Sequence, residues 1–317
     1  MRLKTVIDNK KIKDFISKSP QGTIFNSPEW LEAVSPGSWE YLVVEKNESI
    51  TICIPIIRMK KYGFSILNMP PLTQSLGVLL PIEEGKYAEA LSRNMNRINE
   101  LLAQLPSYSY FMQRFHPEYK NWLPFYWHGF KQTTRYTYII EDLSSIDDVW
   151  NGLRSNIRQE IRKAEKQLVI EQSNDLNALI FCIKSTFERQ GGIEFSFKTL
   201  ERIFQTCSNL DCGKIFLARN KKGDLCGGIY IVWDNKSSYY LSGGSHEQFR
   251  TTGAMPFLIW EAIRFSSKVT KQFNFEGSMI KPIERFFRAF GAKQIPYFEI
   301  SKSNSIFINI YKYFTNG

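Results

Sequence analysis

The chain has 317 residues and a formal net charge of +10, with 43% apolar, 23% charged and 15% aromatic residues. That length exceeds the usual single domain, so one large or two mid-sized domains are expected, and the composition is that of a soluble globular protein. Five cysteines, an odd number without a C-x-x-C pair, argue against a disulfide framework or a zinc site and for reduced thiols in a cytosolic protein.

The N-terminal stretch MRLKTVIDNKKIKDFISKSP lacks a continuous apolar run and does not read as a signal peptide. IFNSPEWLEAV (24–34) carries a helical pattern. YLVVEKNESITICIPIIRMKKYGFSILNM (41–69) reads as an antiparallel meander. Two apolar runs flank the polar turn Lys46-Asn47-Glu48-Ser49, and a third follows Lys60-Lys61-Tyr62-Gly63. The longest apolar run, ITICIPII (50–57), is far too short to cross a bilayer, so no integral membrane segment is expected. A helix is predicted at Tyr87–Leu105 and a strand at SYFMQRF (109–115).

Helices follow at Trp150–Gln167 and Leu176–Arg189, then a second meander, KIFLARNKKGDLCGGIYIVWDNKSSYYLSGG (214–244). A helix at Met255–Lys268 and a strand at Gln272–Glu276 complete the pattern. The order helix, three antiparallel strands, helix, strand thus occurs twice. It implies two similar α/β domains joined near residues 140–150, each with a mixed sheet. The last strand of each is reached by a helical crossover and can lie parallel to its predecessor.

The basic balance favours anionic partners: nucleic acid, nucleotide-linked substrates, phosphate-bearing cofactors or acidic membrane. Several common chemistries are excluded. There is no G-x-x-x-x-G-K-[ST] phosphate loop, no G-x-G-x-x-G after a strand and no G-x-S-x-G elbow. Only three histidines are present, and HEQFR (246–250) is not a zinc-protease H-E-x-x-H.

Three segments hold charges that a core does not need. In WNGLRSNIRQEIRKAEKQL (150–168), Trp150, Leu153, Ile157, Ile161, Ala164 and Leu168 form an apolar stripe. Arg154, Arg158 and Arg162 run beside it at i, i+4 and i+8. Like charges at that spacing cost a helix roughly 0.2–0.5 kcal/mol per pair, so a solvated face and an anion-binding face are both open. In SGGSHEQFRTTGAMPFLIWEAIRF (242–265), a loop with Arg250, Thr251, Thr252 and Gly253 feeds a nearly all-apolar helix with Pro256 in its first turn. Such a helix start offers backbone N–H groups to a phosphate. In FNFEGSMIKPIERFFRAFGA (273–292), Ile283, Phe286, Phe287 and Phe290 make a core stripe and Gly291 suits a helix C-terminus. Glu276, Arg285 and Arg288 fall off that stripe.

At these residues the chain resembles a known family. GFKQTTRYTYIIEDL (129–143), NIRQEIRKAEK (156–166), the second meander, GAMPFLIWEAI and the 273–292 segment follow one another as in Fem-type peptidyltransferases and their acetyltransferase-like relatives of the GNAT superfamily. The likeness covers nearly the whole chain and is most specific over 129–298. It implies an α/β (α+β) fold of two tandem GNAT-like domains, 1–143 and 144–317, with mixed, mostly antiparallel sheets.

The family moves an acyl or aminoacyl group to an amine. The resemblance therefore implies acyl-CoA, or aminoacyl-tRNA in the Fem branch, as a co-substrate, with no bound cofactor and no metal. The acceptor would be anionic, lipid- or nucleotide-linked. Such work needs positioning, proton removal and an oxyanion cradle of backbone N–H groups. The resemblance places that cradle on a splayed strand pair, GGIYIVW (227–233) and SYYLSGG (238–244), with Tyr240 bordering the acyl site. Arg250 and Gly253 match the pyrophosphate loop R/Q-x-x-G-x-G/A, with Thr251, Thr252 and Ala254 alongside; Met255 stands where that motif ends in a small residue. Phe287-Arg288 falls where Fem enzymes carry Phe-Lys, which implies Arg288 as a catalytic-site residue holding a phosphate or a developing negative charge, and Asn274-Phe275 falls where they carry Asp-Phe. Glu276 is then the candidate for proton removal.

Arg158, Arg162, Arg285, Trp30 and Arg135 are candidate substrate contacts, the last two, like Arg114, from family position alone. The leading expectation is an N-acyltransferase acting on an amine of a cell-envelope or polysaccharide precursor, cytoplasmic or peripheral at the inner membrane face. The alternatives are a Fem-type aminoacyltransferase building a peptidoglycan cross-bridge and a non-catalytic basic module.

Overall fold

The computed structural model describes residues 8–189 and 195–307. The chain divides into two compact units: one runs to Arg135 and resumes at Pro296, the other is Tyr136–Ile295.

The first unit opens with α1 (Asn9–Lys18), whose start is capped by the Asp8 carboxylate accepting from the Lys10 N–H at 2.8 Å. α2 (Pro28–Val34) has Ser27 as its cap and Pro28 in its first turn, where a missing N–H costs nothing. The predicted meander is present as β1 (Trp39–Lys46), β2 (Ser49–Lys61) and β3 (Phe64–Leu67). Asn47 and Glu48 both take positive φ, the two-residue hairpin geometry that matches strand twist. α3 (Tyr87–Leu102) then crosses over to β4 (Tyr110–Arg114), which lies parallel to β3 with Ile66 opposite Tyr110. α4 (Leu123–Trp127) follows and presses Pro124 and Phe125 inward. Phe111, Phe115, Phe125 and Phe130 close this core edge to face.

β5 (Lys131–Ile140) leads into the second unit. There follow α5 (Ile146–Gly152), α6 (Ser155–Glu165), β6 (Leu168–Ser173), α7 (Leu176–Arg189) and α8 (Phe197–Asn209). The second predicted meander is β7 (Gly213–Asn220), β8 (Leu225–Trp233) and β9 (Ser237–Ser245). α9 (Ala254–Ser266) crosses over to β10 (Gln272–Asn274), which is parallel to β9 as expected. α10 (Lys281–Arg288) and β11 (Lys293–Ser303) end the described fold. β11 pairs with β4, from Glu299 opposite Arg114 to Ser303 opposite Tyr110, so the end of the chain returns to the first unit instead of completing a 144–317 domain.

The strand order is β1-β2-β3-β4-β11 in the first unit and β5-β10-β9-β8-β7-β6 in the second. In the second unit, a Cβ placed on Gly227 would meet Leu258 of α9, and one on Gly228 would meet Leu179 of α7. Helices therefore cover both faces. That is why β8 is an unbroken apolar run and not an alternating one.

One expected element is different. The helix predicted from Trp150 to Gln167 is broken at Leu153-Arg154 into α5 and α6, and Leu168 opens a strand. The Arg154 N–H donates to the Ala289 carbonyl at 2.9 Å, and Gly152 lies against Gly291. Docking on the end of α10 is what interrupts the helical ladder.

Candidate active site

The site is best built from β9 and β10. They pair only from Gln272 opposite Ser237 to Asn274 opposite Tyr239. β9 then continues to Ser245 while β10 stops. This is the splayed pair. The sequence expectation had placed the splay between 227–233 and 238–244, but those strands are β8 and β9. They stay paired from Gly227 opposite Ser245 to Trp233 opposite Ser238. A hairpin holds its strands together, whereas strands joined by a helical crossover are free to part.

β10 ends because the chain turns at Glu276, which takes a left-handed φ of 58° that non-glycine residues adopt at a cost. Buried Asn274 holds the turn. Its side-chain oxygen accepts from the Glu276 N–H at 2.8 Å and from the Thr137 hydroxyl at 2.7 Å. The Glu276 carboxylate is half-buried, close enough to Tyr239 for its charge to help raise that phenol's pKa, after burial and Asp234. Tyr240 packs its ring against Phe287 of α10, with centroids 5.7 Å apart, and burial keeps its phenol protonated.

The loop after β9 leads into α9 through Gly253, whose φ of 77° suits glycine. Arg250 and Thr251 are exposed, Thr252 is half-buried and Ala254 is buried in the core. The Arg250 and Thr252 N–H groups close local turns onto Glu247 and Phe249. The first N–H groups of α9 have no partner within the helix and remain the donors on offer. α6 packs on one side of this loop: a Cβ on Gly253 would lie 3.0 Å from the Glu160 carbonyl oxygen.

On α10, Phe287 is buried, as its place in the core stripe predicts. Arg288 is exposed and donates to Glu284 at 2.7 Å, and Glu284 also accepts from the Tyr138 hydroxyl at 2.6 Å. These hydrogen bonds, Tyr138 first and Arg288 second, hold the Glu284 carboxyl below its ordinary pKa. Arg285 is exposed and borders a cleft of about 720 Å³ with Arg154, Asn156, Glu160 and Phe286.

The remaining arginines are less free than the sequence implies. Arg158 donates to the Asn151 carbonyl at 2.8 Å, and Arg162 lies 5.5 Å over the Trp150 ring. Both fold back onto the end of α5, where cations complement helix carbonyls and aromatic faces. Only Arg154 of the stripe reaches the cleft. In the first unit, Trp30 is 1% exposed and donates to the Thr73 hydroxyl at 3.0 Å. It is a core residue that shows no face to solvent. Arg135 shares Glu299 with Arg114, at 2.6 and 3.1 Å.

Sequence reasoning missed Thr137 and the structural work of Asn274 and Tyr138. Their signal was weak, since each acts through a partner more than a hundred residues away.

Residues 151–269 match the family model described as "Acetyltransferase (GNAT) domain". No curated protein sequence matches the chain. Among solved structures, a crystal structure of FemX superposes with a TM-score of 0.71 at 14% identity, covering 94% of this chain and 97% of that one. L-PGS from Bacillus licheniformis gives 0.57 at 11% identity, covering 96% and 95%. A tandem GNAT protein from the clavulanic acid biosynthesis pathway gives 0.54 at 9% identity, covering 94% and 96%. Residues 151–269 thus carry the sequence pattern of a GNAT-type acetyltransferase domain, and the whole chain shares its fold with FemX and with a tandem GNAT protein.

Proposed function

We propose that this protein transfers an acyl group from acyl-CoA to an amine of a cell-envelope or polysaccharide precursor. The observation that carries the reading is the parting of β9 from β10 beyond Tyr239, directly upstream of the Gly253 turn into α9. The unpaired edge of β9 offers backbone donors for the developing oxyanion, and donors already fixed in place stabilise it without reorganising. Arg250, Thr251, Thr252, Gly253 and Ala254 take the donor's pyrophosphate against the start of α9.

The amine attacks the thioester carbonyl, and the tetrahedral intermediate expels the CoA thiolate. Glu276, set at the mouth of the splay by its left-handed turn, accepts the proton that the nitrogen releases. Tyr240, packed against Phe287 of α10, serves as the acid that protonates the leaving sulfur. Arg285 and Arg154 in the cleft, and Arg288 at its exposed position beside them on α10, hold an anionic acceptor. The enzyme works in the cytoplasm, at the inner membrane face when the acceptor is lipid-linked.

A second reading is favoured by one observation. α6 packs against the Gly253 loop, so part of the surface a CoA pyrophosphate would use is already covered. Aminoacyl-tRNA, presenting its ester from a larger body, needs less of that loop.

A thermal-shift panel separates the two. A ligand at a hundred times its Kd adds about 2.7 kcal/mol of stability. Stabilisation by acetyl-CoA or a longer acyl-CoA, and none by charged tRNA, supports the first reading; the reverse supports the second. If neither stabilises the protein and neither is consumed with an amine acceptor, the transferase assignment to this site fails.

A further inference from the structure

One end of the first unit's sheet brings together four segments that are distant in sequence. The β2–β3 turn at Tyr62-Gly63 leads to Ser65, whose carbonyl accepts from the Ser109 N–H at 2.7 Å. The Ser109 carbonyl accepts from the Asn304 N–H at 2.9 Å. Two residues before Asn304, the Lys302 ammonium donates to the His128 carbonyl at 2.7 Å, just past the end of α4, and lies 5.2 Å over the Phe130 ring. Hairpin tip, β4 start, β11 end and α4 therefore share one end of the unit.

This end is unusual in two respects. First, it exposes large apolar side chains. Tyr62 is 88% exposed, Tyr126 and Trp127 57% each, and Leu123 46%. Leu123, Tyr126 and Trp127 stand at i, i+3 and i+4, so they share the outer face of α4 while Pro124 and Phe125 fill the inner one. Second, it carries lysines. Lys60, Lys61 and Lys131 are exposed and Lys302 half-buried, while the acids that touch these segments, Glu40, Glu118 and Glu299, are paired with Arg58, Lys120 and Arg114.

The geometry points to this end as a docking surface for an anionic lipid bilayer. Tyrosine and tryptophan have an apolar body and a polar tip, which suits the boundary between headgroups and acyl chains. Lysines around them meet anionic headgroups and keep their stems along the apolar surface. A polyanion such as RNA would use the same charge and could stack on the aromatic rings. It would gain nothing from Leu123 or from Met59, 37% exposed beside Lys60. Exposed aliphatic side chains among lysines favour the bilayer. The inference does not depend on the acyl donor or on Glu276, and its readout is binding.

The test is sedimentation of the full chain with vesicles of phosphatidylcholine alone and of phosphatidylcholine mixed with phosphatidylglycerol. The protein should pellet with the mixed vesicles and stay in solution with the neutral ones, and added salt should release it. Tyr126→Ser with Trp127→Ser should abolish pelleting at an unchanged thermal midpoint. Lys61→Ala should weaken partitioning roughly fivefold, the effect of one lysine near an anionic surface. Should the α4 variant fold poorly, Tyr62→Ser at the hairpin tip, far from the core, should weaken pelleting by itself. The inference is overturned if the wild type stays in solution with mixed vesicles, if these variants pellet like wild type, or if the protein binds polyuridylate and not vesicles. It is equally overturned if the α4 change converts a dimer to a monomer without altering vesicle binding.

Discussion

The two crossovers of this molecule can be compared directly. β3 reaches β4 through α3, and β9 reaches β10 through α9; both strand pairs are parallel. The helices differ. α9 is buried along most of its length and starts from the Gly253 turn, with Arg250 and Thr251 exposed beside it. α3 buries only Ile98, Leu101 and Leu102, and its cap, Lys86, makes no side-chain hydrogen bond. Before it comes the long 68–86 connection, tied down where Cys53 bridges Leu79 and Leu76 bridges Phe115. The same topology thus carries a largely buried helix entered from an exposed loop in one unit and a solvent-facing helix in the other. Fold repetition does not repeat a site; the loop before the helix decides whether there is one.

The largest effect expected to sharpen this comparison is on chemistry. Glu276→Gln in the second unit should slow transfer by roughly 10²–10⁴-fold while leaving donor-induced thermal stabilisation in place. Full activity in that variant would remove Glu276 from the mechanism and weaken the case for a single chemical unit.

The glycines before the two helices give the next contrast. Gly253→Ala must place a Cβ against the Glu160 carbonyl at a left-handed φ, so it should lower stability by about 1–3 kcal/mol and abolish stabilisation by the donor. Gly85→Ala, also at positive φ but touching only the end of Arg93, should cost about 1–2 kcal/mol and spare donor binding. Equal losses in both assays would break the comparison. Denaturant titration with and without acyl-CoA measures both.

The carboxylates differ as well. Burial opposes ionisation of Glu299 in the first unit, but hydrogen bonds from Arg135 and then Arg114 outweigh it and hold its pKa below the ordinary value. A lowered folded pKa means the charge stabilises the fold above the unfolded pKa of about 4.3. That contribution is lost as pH falls through the lower folded pKa. The first unit should therefore lose stability on acidification through that window, and Glu299→Gln should flatten the loss. Unfolding midpoints followed from pH 6 to pH 3, roughly the span of carboxylate titration, check this. Smallest of all, Arg158→Ala should change transfer by less than about threefold and mainly loosen the end of α5, whereas Arg285→Ala should raise KM for an anionic acceptor. A larger KM effect at Arg158 would restore it to the site.

Both meanders and both crossovers were legible in the sequence. Apolar runs separated by Lys46–Ser49, Lys60–Gly63 and Asn220–Asp224 are local signals, and hairpins are made by local turns. The stripe Ile283, Phe286, Phe287 and Phe290 and the left-handed Gly291 were likewise readable, because helical periodicity and a C-terminal glycine need no distant partner. The helix through 150–168 was misread. Its apolar stripe is continuous, and nothing local shows that Arg154 will donate to Ala289. Family position makes Trp30 a candidate substrate contact, whereas the structure buries it in the core with its indole N–H donating to Thr73.

What the sequence determined by itself is the order of elements, the basic character and the residues at which a GNAT-type site would be sought. Those follow from periodicity, turn chemistry and short motifs, all of which act over a few residues. Only the tertiary structure decided that β9 parts from β10 and not from β8, and that Arg158 and Arg162 serve α5 while Arg154 and Arg285 share a cleft. It also gathered the lysines and exposed aromatics of four segments at one end of a sheet. These outcomes depend on which segments meet across long separations, and short-range rules hold no information about that.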